Sequence, residues 1–147
     1  MNTQKVMDIY VELLDEGSEM WRLTQAIESQ EGLWEVLPTQ DYDSQEETWL
    51  HPPHSFVRLQ QSSRGDFVAV HVDPSAVRIQ MPMTGGAFKV TTAYAKPTDE
   101  SGLFEILPMK DHENIQKDWV FPPKTKVHLE KRSYSFGEHL WPREIKT

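Results

Sequence analysis

The chain lacks cysteine altogether, since none occurs among its 147 residues. A disulfide framework and thiolate metal sites are therefore excluded, and the composition fits a reducing cytoplasm. Long apolar runs are also missing, because no stretch approaches the roughly 20 residues that a membrane-spanning helix needs. The first residues contain one lysine followed by acids, without the apolar segment of a secretory signal. We therefore predict a cytoplasmic protein that does not contact a membrane.

Basic residues are scarce in the first half of the chain. Residues 1–73 contain four Lys and Arg against fourteen Asp and Glu, a formal charge of −10. Residues 74–147 contain eleven basic residues against nine acids, a formal charge of +2. The net charge of −8 thus resides in the first half. A split of this kind informs about partners and association rates rather than about fold.

An internal repeat is the main positive feature of the sequence. Residues 31–60 align without a gap on residues 101–130, at a constant offset of 70. Self-similarity at a fixed period indicates the architecture before any single motif does. It predicts two related units, 1–73 and 74–147, each of a size that is marginally stable unless it packs on a neighbour. The identical pairs are Gly32/Gly102, Leu33/Leu103, Glu35/Glu105, Leu37/Leu107, Pro38/Pro108, Asp41/Asp111, Trp49/Trp119, Pro52/Pro122, Pro53/Pro123, Val57/Val127 and Leu59/Leu129.

Apolar residues recur at every second position in short segments, with turns between them. Residues 7–13 show this pattern, which is typical of a half-buried strand. In the next segment the pattern predicts that Trp21, Leu23 and Ile27 face the core. Thr24 would then lie on the opposite face. No segment has helical periodicity over a useful length, so every element is predicted to be a strand or a turn.

Several short strands in each repeat favour a small, strongly bent barrel of the SH3-like type. Matching residues 21–27 to residues 88–94 requires three extra residues in the second copy, near Pro97, and hairpin loops tolerate such insertions. We therefore predict an all-β protein made of two tandem SH3-like units packed together. A single β-sandwich with pseudo-two-fold symmetry is the alternative.

Short motifs follow one another between Ile9 and Leu59: YVELLDEG, a Trp-Arg pair, the acidic DYD, and a Trp–Pro–Val-Arg series. In this order they resemble a group of short bacterial β-domain proteins of unknown activity. The resemblance covers most of the first copy and, more faintly, the second, and it implies a compact β-domain without indicating any chemistry. The group has a glycine where His54 and Lys124 stand here, so a different turn is expected. The matching positions are Tyr10, Val11, Leu13, Leu14, Asp15, Glu16, Gly17, Trp21, Arg22, Asp41, Tyr42, Asp43, Trp49, Pro53, Val57 and Arg58.

No recognisable catalytic motif is present. The segment 51–54, HPPH, has H-x-x-H spacing, but a metal site needs three or four converging ligands, and two rigid prolines oppose convergence. The second copy has Phe121 and Lys124 at the two histidine positions, so the framework does not depend on them. We therefore place these histidines on the surface. No metal, cofactor or catalytic residue is predicted, and the chain is predicted not to be an enzyme.

The second copy has two further features, a weak basic stripe and a late tryptophan. The stripe covers residues 124–132 beside Tyr134, the composition that nucleic-acid binding needs. Because the strongly acidic first copy would repel phosphate, nucleic acid is disfavoured as a partner. Trp141 has no aromatic equivalent in the first copy, where the offset position is His71. It is the best candidate for an aromatic residue that is exposed or docked between the units.

Acids are concentrated in two places in the first unit, on the predicted first hairpin and on the predicted loop 39–47. Hairpin tips and long loops can converge at one end of an SH3-like barrel, so we expect these carboxylates to form one surface. Such a surface steers a basic protein partner toward its binding site. The predicted partner-binding residues are Glu12, Asp15, Glu16, Glu19, Asp41, Tyr42, Asp43, Glu46 and Glu47.

The charge split and the lack of catalytic motifs lead to a functional hypothesis. The protein is a non-enzymatic bacterial protein-binding module, for example an inhibitor or immunity-type protein that covers the basic active site of a nuclease toxin. One alternative is a self-associating structural or scaffolding β-domain whose strand edges pair, which would make it a homo-oligomer. A merely solvated acidic face, a nucleic-acid-binding module and a metal-dependent enzyme are the remaining alternatives.

Overall fold

The predicted all-β class is confirmed by a computed structural model of the chain. Its described part contains eleven strands and one short helix. The chain divides into two compact units, Met1–Val72 (unit 1) and Asp73–Thr147 (unit 2). No helix in the described part is long and apolar enough to cross a membrane. The structure describes residues 5–14, 20–85, 90–134 and 137–145.

The described residues of unit 1 form six strands: β1 (Val6–Leu14), β2 (Met20–Gln30), β3 (Leu33–Val36), β4 (Thr48–Trp49), β5 (Phe56–Gln61) and β6 (Phe67–Val70). Antiparallel pairing joins β1 to β2, β2 to β3, β3 to β5 and β5 to β6. β6 pairs in parallel with β1 at Tyr10↔Val68, so the pairing closes into a ring. β4 adds to the end of β1 through Leu13↔Trp49. The buried core consists of Ile9, Val11, Leu13, Ala26, Trp34, Val36, Trp49, Val57 and Ala69.

In unit 2 the described residues form five strands and the helix: β7 (Val77–Pro82), β8 (Val90–Pro97), β9 (Phe104–Ile106), α1 (Glu113–Gln116), β10 (Lys126–Tyr134) and β11 (Gly137–Arg143). The strands pair antiparallel in chain order, from β7 to β11. β11 also lies beside β7, where Gln80 Nε2 is 3.5 Å from His139 Nδ1. The buried core consists of Ile79, Met81, Ala93, Ala95, Ile106, Trp119 and Val127.

Several backbone pairings recur in the two units at the offset of 70 residues found in the sequence. Trp49 pairs with Leu13 at the end of β1, and Trp119 pairs with Met83 just beyond β7. The tryptophans that the repeat retains therefore have equivalent backbone surroundings. Other equivalent interactions are Trp34↔Val57 and Phe104↔Val127, Val36 N–Ser55 O (2.9 Å) and Ile106 N–Thr125 O (2.9 Å), and Leu50 N–Glu12 O (2.8 Å) and Val120 N–Pro82 O (2.9 Å).

The predicted alignment of the second strands is wrong. Ile9 pairs with Thr24 in unit 1, whereas the equivalent Ile79 pairs with Ala93 in unit 2. β8 is therefore offset from β2 by 69 residues, so the match to residues 88–94 and its three-residue insertion are wrong. One extra residue in the connection from β8 to β9 restores the offset of 70. The sequence match aligned Trp21 with Phe88. The register of a sheet is set by its hydrogen-bonded pairs, and these give a different alignment.

The predicted inner face of β2 is also wrong. Thr24 and Ala26 are 5% and 0% exposed, whereas Leu23 is 51% exposed. Trp21 is half-buried on the outer side with Leu23, because side chains alternate across a strand. Thr24 tolerates burial because its hydroxyl donates a hydrogen bond of 2.7 Å to Leu37 O. A satisfied polar side chain thus takes an inner position that the apolar pattern assigned elsewhere.

Trp141 has a different counterpart from the one that the sequence offset indicates. Leu59 pairs with Ala69 in unit 1, so a constant offset of 70 would pair Leu129 with His139 in unit 2. Leu129 pairs instead with Pro142, three residues later. Trp141 therefore corresponds to Val68, not to His71. Its ring is half-buried, and the Arg132 guanidinium carbon lies 5.0 Å from the ring centroid, a cation–π distance.

The turn before β5 in unit 1 and before β10 in unit 2 holds a non-glycine residue in the left-handed region. The φ angle is 72° at His54 and 74° at Lys124. Each residue donates its backbone N–H to an equivalent carbonyl, Val36 O at 2.6 Å and Ile106 O at 2.8 Å. The two units therefore share one turn conformation, of a kind that favours glycine.

Replacing Lys124 with glycine is expected to raise the free energy of unfolding by about 0.5–1 kcal/mol. A left-handed φ costs a residue with a side chain roughly 1–2 kcal/mol. Removing this cost stabilises the fold, but the greater freedom of glycine in the unfolded chain lowers that stabilisation by about 0.5–1 kcal/mol. Urea denaturation of the full chain measures the change. Gly85→Ala, at φ 91° with no atom within 4 Å of the added methyl, is the control of opposite sign. A Lys124→Gly variant that is less stable than the wild type would show that the left-handed φ of Lys124 does not destabilise the fold.

Candidate functional site

The two histidines of residues 51–54 have different environments. His51 is buried, at 8% exposure, so its predicted surface position is wrong; the chain remains in the interior through Leu50. His54 is exposed, and its Nδ1 lies 2.8 Å from Glu35 Oε2. No group of three His, Asp or Glu residues able to hold a metal ion occurs among the described residues.

The structure divides the nine predicted partner-binding residues into three groups. Glu12 is buried, at 4% exposure, because both faces of β1 are covered near its end, so including it in an exposed surface is wrong. Asp15, Glu16 and Glu19 lie outside the described residues. The other five belong to residues 39–47, which we call the acidic loop.

The acidic loop is organised by hydrogen bonds of its own. Tyr42 N donates to Thr39 O at 3.2 Å, and Glu46 N donates to Asp43 O at 3.0 Å. The Asp43 carboxylate accepts a hydrogen bond of 2.9 Å from Gln45 N, which forms an Asx turn. These bonds give the loop a defined backbone conformation.

One carboxylate of the acidic loop is anchored to the rest of unit 1. Glu47 accepts a hydrogen bond of 3.1 Å from Arg22 Nε and pairs with Arg22 Nη2 through its second oxygen. It also accepts a bond of 3.1 Å from the indole N–H of Trp49. The hydrogen bonds from Arg22 and Trp49 lower the pKa of Glu47 below its usual value. We call these three residues the Arg22–Glu47–Trp49 network, which holds Glu47 ionised and engaged within the unit.

Tyr42 attaches the acidic loop to the core. Its ring meets the Trp49 ring edge-on, with centroids 4.7 Å apart and planes at 67°, a favourable arrangement for an aromatic pair. The side chain is half-buried against the core residues of unit 1. Burial, followed by the nearby carboxylates of Asp43 and Glu47, raises the pKa of Tyr42. The phenol is therefore neutral at physiological pH and acts as a packing group.

Three carboxylates of the acidic loop are exposed: Asp41, Asp43 and Glu46. The acidic loop ends beside the last residues of β1, because β4 directly follows the loop and pairs with them. Residues 15–19 follow those same β1 residues in the chain. In the sequence, each of the two acid-rich segments of unit 1 thus adjoins one strand of the β1–β4 pair.

The equivalent segment of unit 2, residues 109–117, has a different charge. Lys110 and Lys117 offset Asp111 and Glu113, so the segment has no net formal charge. It forms a 3-10 turn and α1, which the sequence analysis did not predict because so short a helix leaves no periodicity. The acidic loop is thus a feature of unit 1 that the repeat does not share.

Arg22 and Trp49 are the residues of this site that the sequence analysis did not include. Trp49 is identical in both copies of the repeat, which indicates a core position. This identity does not predict its hydrogen bond to the Glu47 carboxylate. A signal for Arg22 was available, since it is one of four basic residues among fourteen acids in residues 1–73. A basic residue in so acidic a segment has many potential partners close in sequence or space.

The chain matches no family model, and no curated protein and no solved structure is significantly similar to it. The residues and contacts described above are the basis for assigning a function.

Proposed function

We propose that the protein is a non-enzymatic bacterial protein-binding module that binds a basic partner through its acidic loop, in the manner of an inhibitor or immunity-type protein. The observation that carries this proposal is the exposure of Asp41, Asp43 and Glu46 on a loop that the Arg22–Glu47–Trp49 network ties to the unit. Lysine and arginine side chains of a partner are the groups that these carboxylates attract.

The defined backbone of the acidic loop supports binding over mere solvation of charge. A loop that is already held by hydrogen bonds loses little conformational entropy when a partner binds. Carboxylates grouped on one loop attract a basic protein and speed its association, an effect that falls with salt. Fourteen acids against four basic residues in residues 1–73 extend this field beyond the loop. A cationic protein is the class of partner that this surface favours.

We also propose that each unit is a small SH3-like barrel and that the chain arose by tandem duplication. The closed ring of strand pairings in unit 1 supports a barrel. The equivalent pairings of β3 with β5 and of β9 with β10 support duplication. One framework with two different surfaces accounts for an acidic loop in unit 1 alone.

The test compares the binding of a labelled decalysine peptide to the wild-type chain and to a triple variant, at low and high salt. Asp41→Asn, Asp43→Asn and Glu46→Gln together remove three charges and keep side-chain size. An asparagine at position 43 still accepts the hydrogen bond from Gln45. The affinity is expected to fall about tenfold at low salt, because each exposed ion pair contributes about 0.2–1 kcal/mol.

The matched control removes the same charge from unit 2. Asp111→Asn, Glu113→Gln and Asp118→Asn change exposed positions in or next to the equivalent segment. This control is expected to bind the peptide nearly as the wild type does. Equal affinity of the two triple variants would contradict binding at the acidic loop. A tight homodimer in sedimentation, unchanged by either set of substitutions, would favour the self-associating alternative instead.

A further inference from the structure

The Arg22–Glu47–Trp49 network has an incomplete counterpart in unit 2. Thr91, Lys117 and Trp119 occupy the three equivalent positions, at offsets of 69, 70 and 70 residues. The tryptophan is kept, while the glutamate becomes a lysine and the arginine a threonine. Unit 2 thus keeps the indole N–H donor but has a lysine where unit 1 has the accepting carboxylate.

One backbone hydrogen bond and the pairing of the tryptophan recur at these positions in both units. Lys117 N donates to Glu113 O at 3.2 Å, as Glu47 N donates to Asp43 O at 3.1 Å. The residue two positions further along is the tryptophan in both units, and each tryptophan pairs with the end of the first strand. The place beside the Trp119 indole therefore corresponds to the place that the Glu47 carboxylate takes in unit 1.

At two of the three equivalent positions, a buried polar atom has no hydrogen-bond partner among the residues that the structure describes. These atoms are the indole Nε1 of Trp119 and the hydroxyl Oγ1 of Thr91. Trp119 is 4% exposed and Thr91 is 6% exposed. Buried polar groups are hydrogen-bonded in the large majority of cases, so each such atom needs an explanation. Both atoms can donate a hydrogen bond, and neither has an acceptor in the described ranges of the chain.

The third residue of the set supplies a positive charge. Lys117 is exposed, and an ammonium group donates hydrogen bonds but accepts none. Within the described part of the chain, these three positions therefore supply two unpartnered donors and a cation. A group that completes the set has to accept from an indole N–H and a hydroxyl and to carry negative charge. The Glu47 carboxylate meets the corresponding requirement in unit 1, with one oxygen on the indole and both near a cation.

We propose that unit 2 has a binding site for a carboxylate from outside the chain, formed by Trp119, Thr91 and Lys117. The ligand carboxylate takes the place that the Glu47 side chain fills in unit 1. Because Lys117 is exposed, its side chain can turn toward an incoming anion. Free carboxylates and the acidic side chains of a polypeptide share this chemistry. The site is independent of the acidic loop and of the partner proposed for it.

Nuclear magnetic resonance of the nitrogen-15-labelled full chain tests the site through the indole N–H of Trp119, which its loss in Trp119→Phe identifies. The probes are sodium acetate and a tetraglutamate peptide, each compared with sodium chloride at the same ionic strength. A saturable downfield shift of this resonance with both probes shows that a free carboxylate suffices. A shift with the peptide alone shows that the ligand is an acidic polypeptide. The absence of a shift with either probe overturns the proposal.

Two charge-reversal variants separate the site from general electrostatics. Lys117→Glu supplies the carboxylate from the chain itself, so the Trp119 resonance is expected to move without ligand and to lose its response to both probes. Lys110→Glu makes the same charge change in the same segment and is expected to keep the response. A Lys117→Glu variant that responds as the wild type does, or a Lys110→Glu variant that loses the response, overturns the proposal.

Discussion

Replacing Trp49 with alanine is expected to lower the free energy of unfolding by about 3–5 kcal/mol, as for other large buried aromatic side chains. Trp49 is 1% exposed, meets Tyr42 edge-on and donates a hydrogen bond to Glu47. The substitution leaves a cavity, removes one partner of a loop carboxylate and detaches the acidic loop from the core. Urea denaturation of the full chain, followed by near-ultraviolet circular dichroism, measures the loss.

Leu23→Ala is the control for this prediction. Leu23 is large and apolar, and the sequence pattern places it inside, but it is 51% exposed. Its truncation is expected to change the free energy of unfolding by no more than about 0.5 kcal/mol. Comparable losses in the two variants would contradict the burial pattern of unit 1 and would return Leu23 to the core.

Replacing Glu47 with lysine, the residue that unit 2 has at this position, is expected to destabilise the chain by about 2–3 kcal/mol. The Trp49 N–H is then buried without its acceptor, which costs about 1–3 kcal/mol. A second positive charge also stands beside Arg22, where an exposed ion pair contributes about 0.2–1 kcal/mol. Glu46→Lys is the matched control, because Glu46 is exposed on the same loop. Equal stability of the two variants in urea would show that the network does not hold the loop.

Acid is expected to remove the stabilisation that Glu47 provides. Hydrogen bonds from Arg22 and Trp49 lower the pKa of Glu47 in the folded chain, so the folded state binds a proton less readily than the unfolded state does. The contribution is therefore fully present above the pKa of unfolded glutamate and is lost as the pH falls through the lower pKa of the folded state. The difference in unfolding free energy between the wild type and Glu47→Gln should shrink as the pH is lowered from neutral into this range. A difference that stays constant with pH would contradict an ionised, hydrogen-bonded Glu47.

The repeat predicted strand register well only where the offset between the two copies is constant. Trp34 and Phe104 have the partners that the alignment requires. β8 and β11 do not follow the same offset, because the connections that precede them differ in length between the two units. A turn can change length without changing the apolar pattern on either side. The apolar pattern therefore does not show which turn differs in length, whereas the hydrogen-bonded pairs of the strands do.

The acidic loop could be predicted from the sequence, but the roles of its acids could not. Asp41, Asp43 and Glu46 are exposed, as expected for charged residues in a loop. Glu47 is engaged instead with Arg22, a residue 25 positions away in the chain. Glu12 is buried, although its place in the alternating pattern of β1 predicted a solvent-facing carboxylate. Charge and alternation are local properties, while both exceptions depend on contacts between distant strands.

The amino-acid sequence alone determined the all-β class and the spacing of the repeated tryptophans and prolines. It also determined that one half of the chain is strongly acidic, because composition and period-2 patterning are carried by neighbouring residues. Only the tertiary structure decided which side of β2 faces the core, which carboxylates reach solvent, and that Trp49 has an acceptor while Trp119 has none among the described residues. The physical reason is that burial and hydrogen bonding belong to pairs of residues, and strand pairing brings those pairs together from distant parts of the chain.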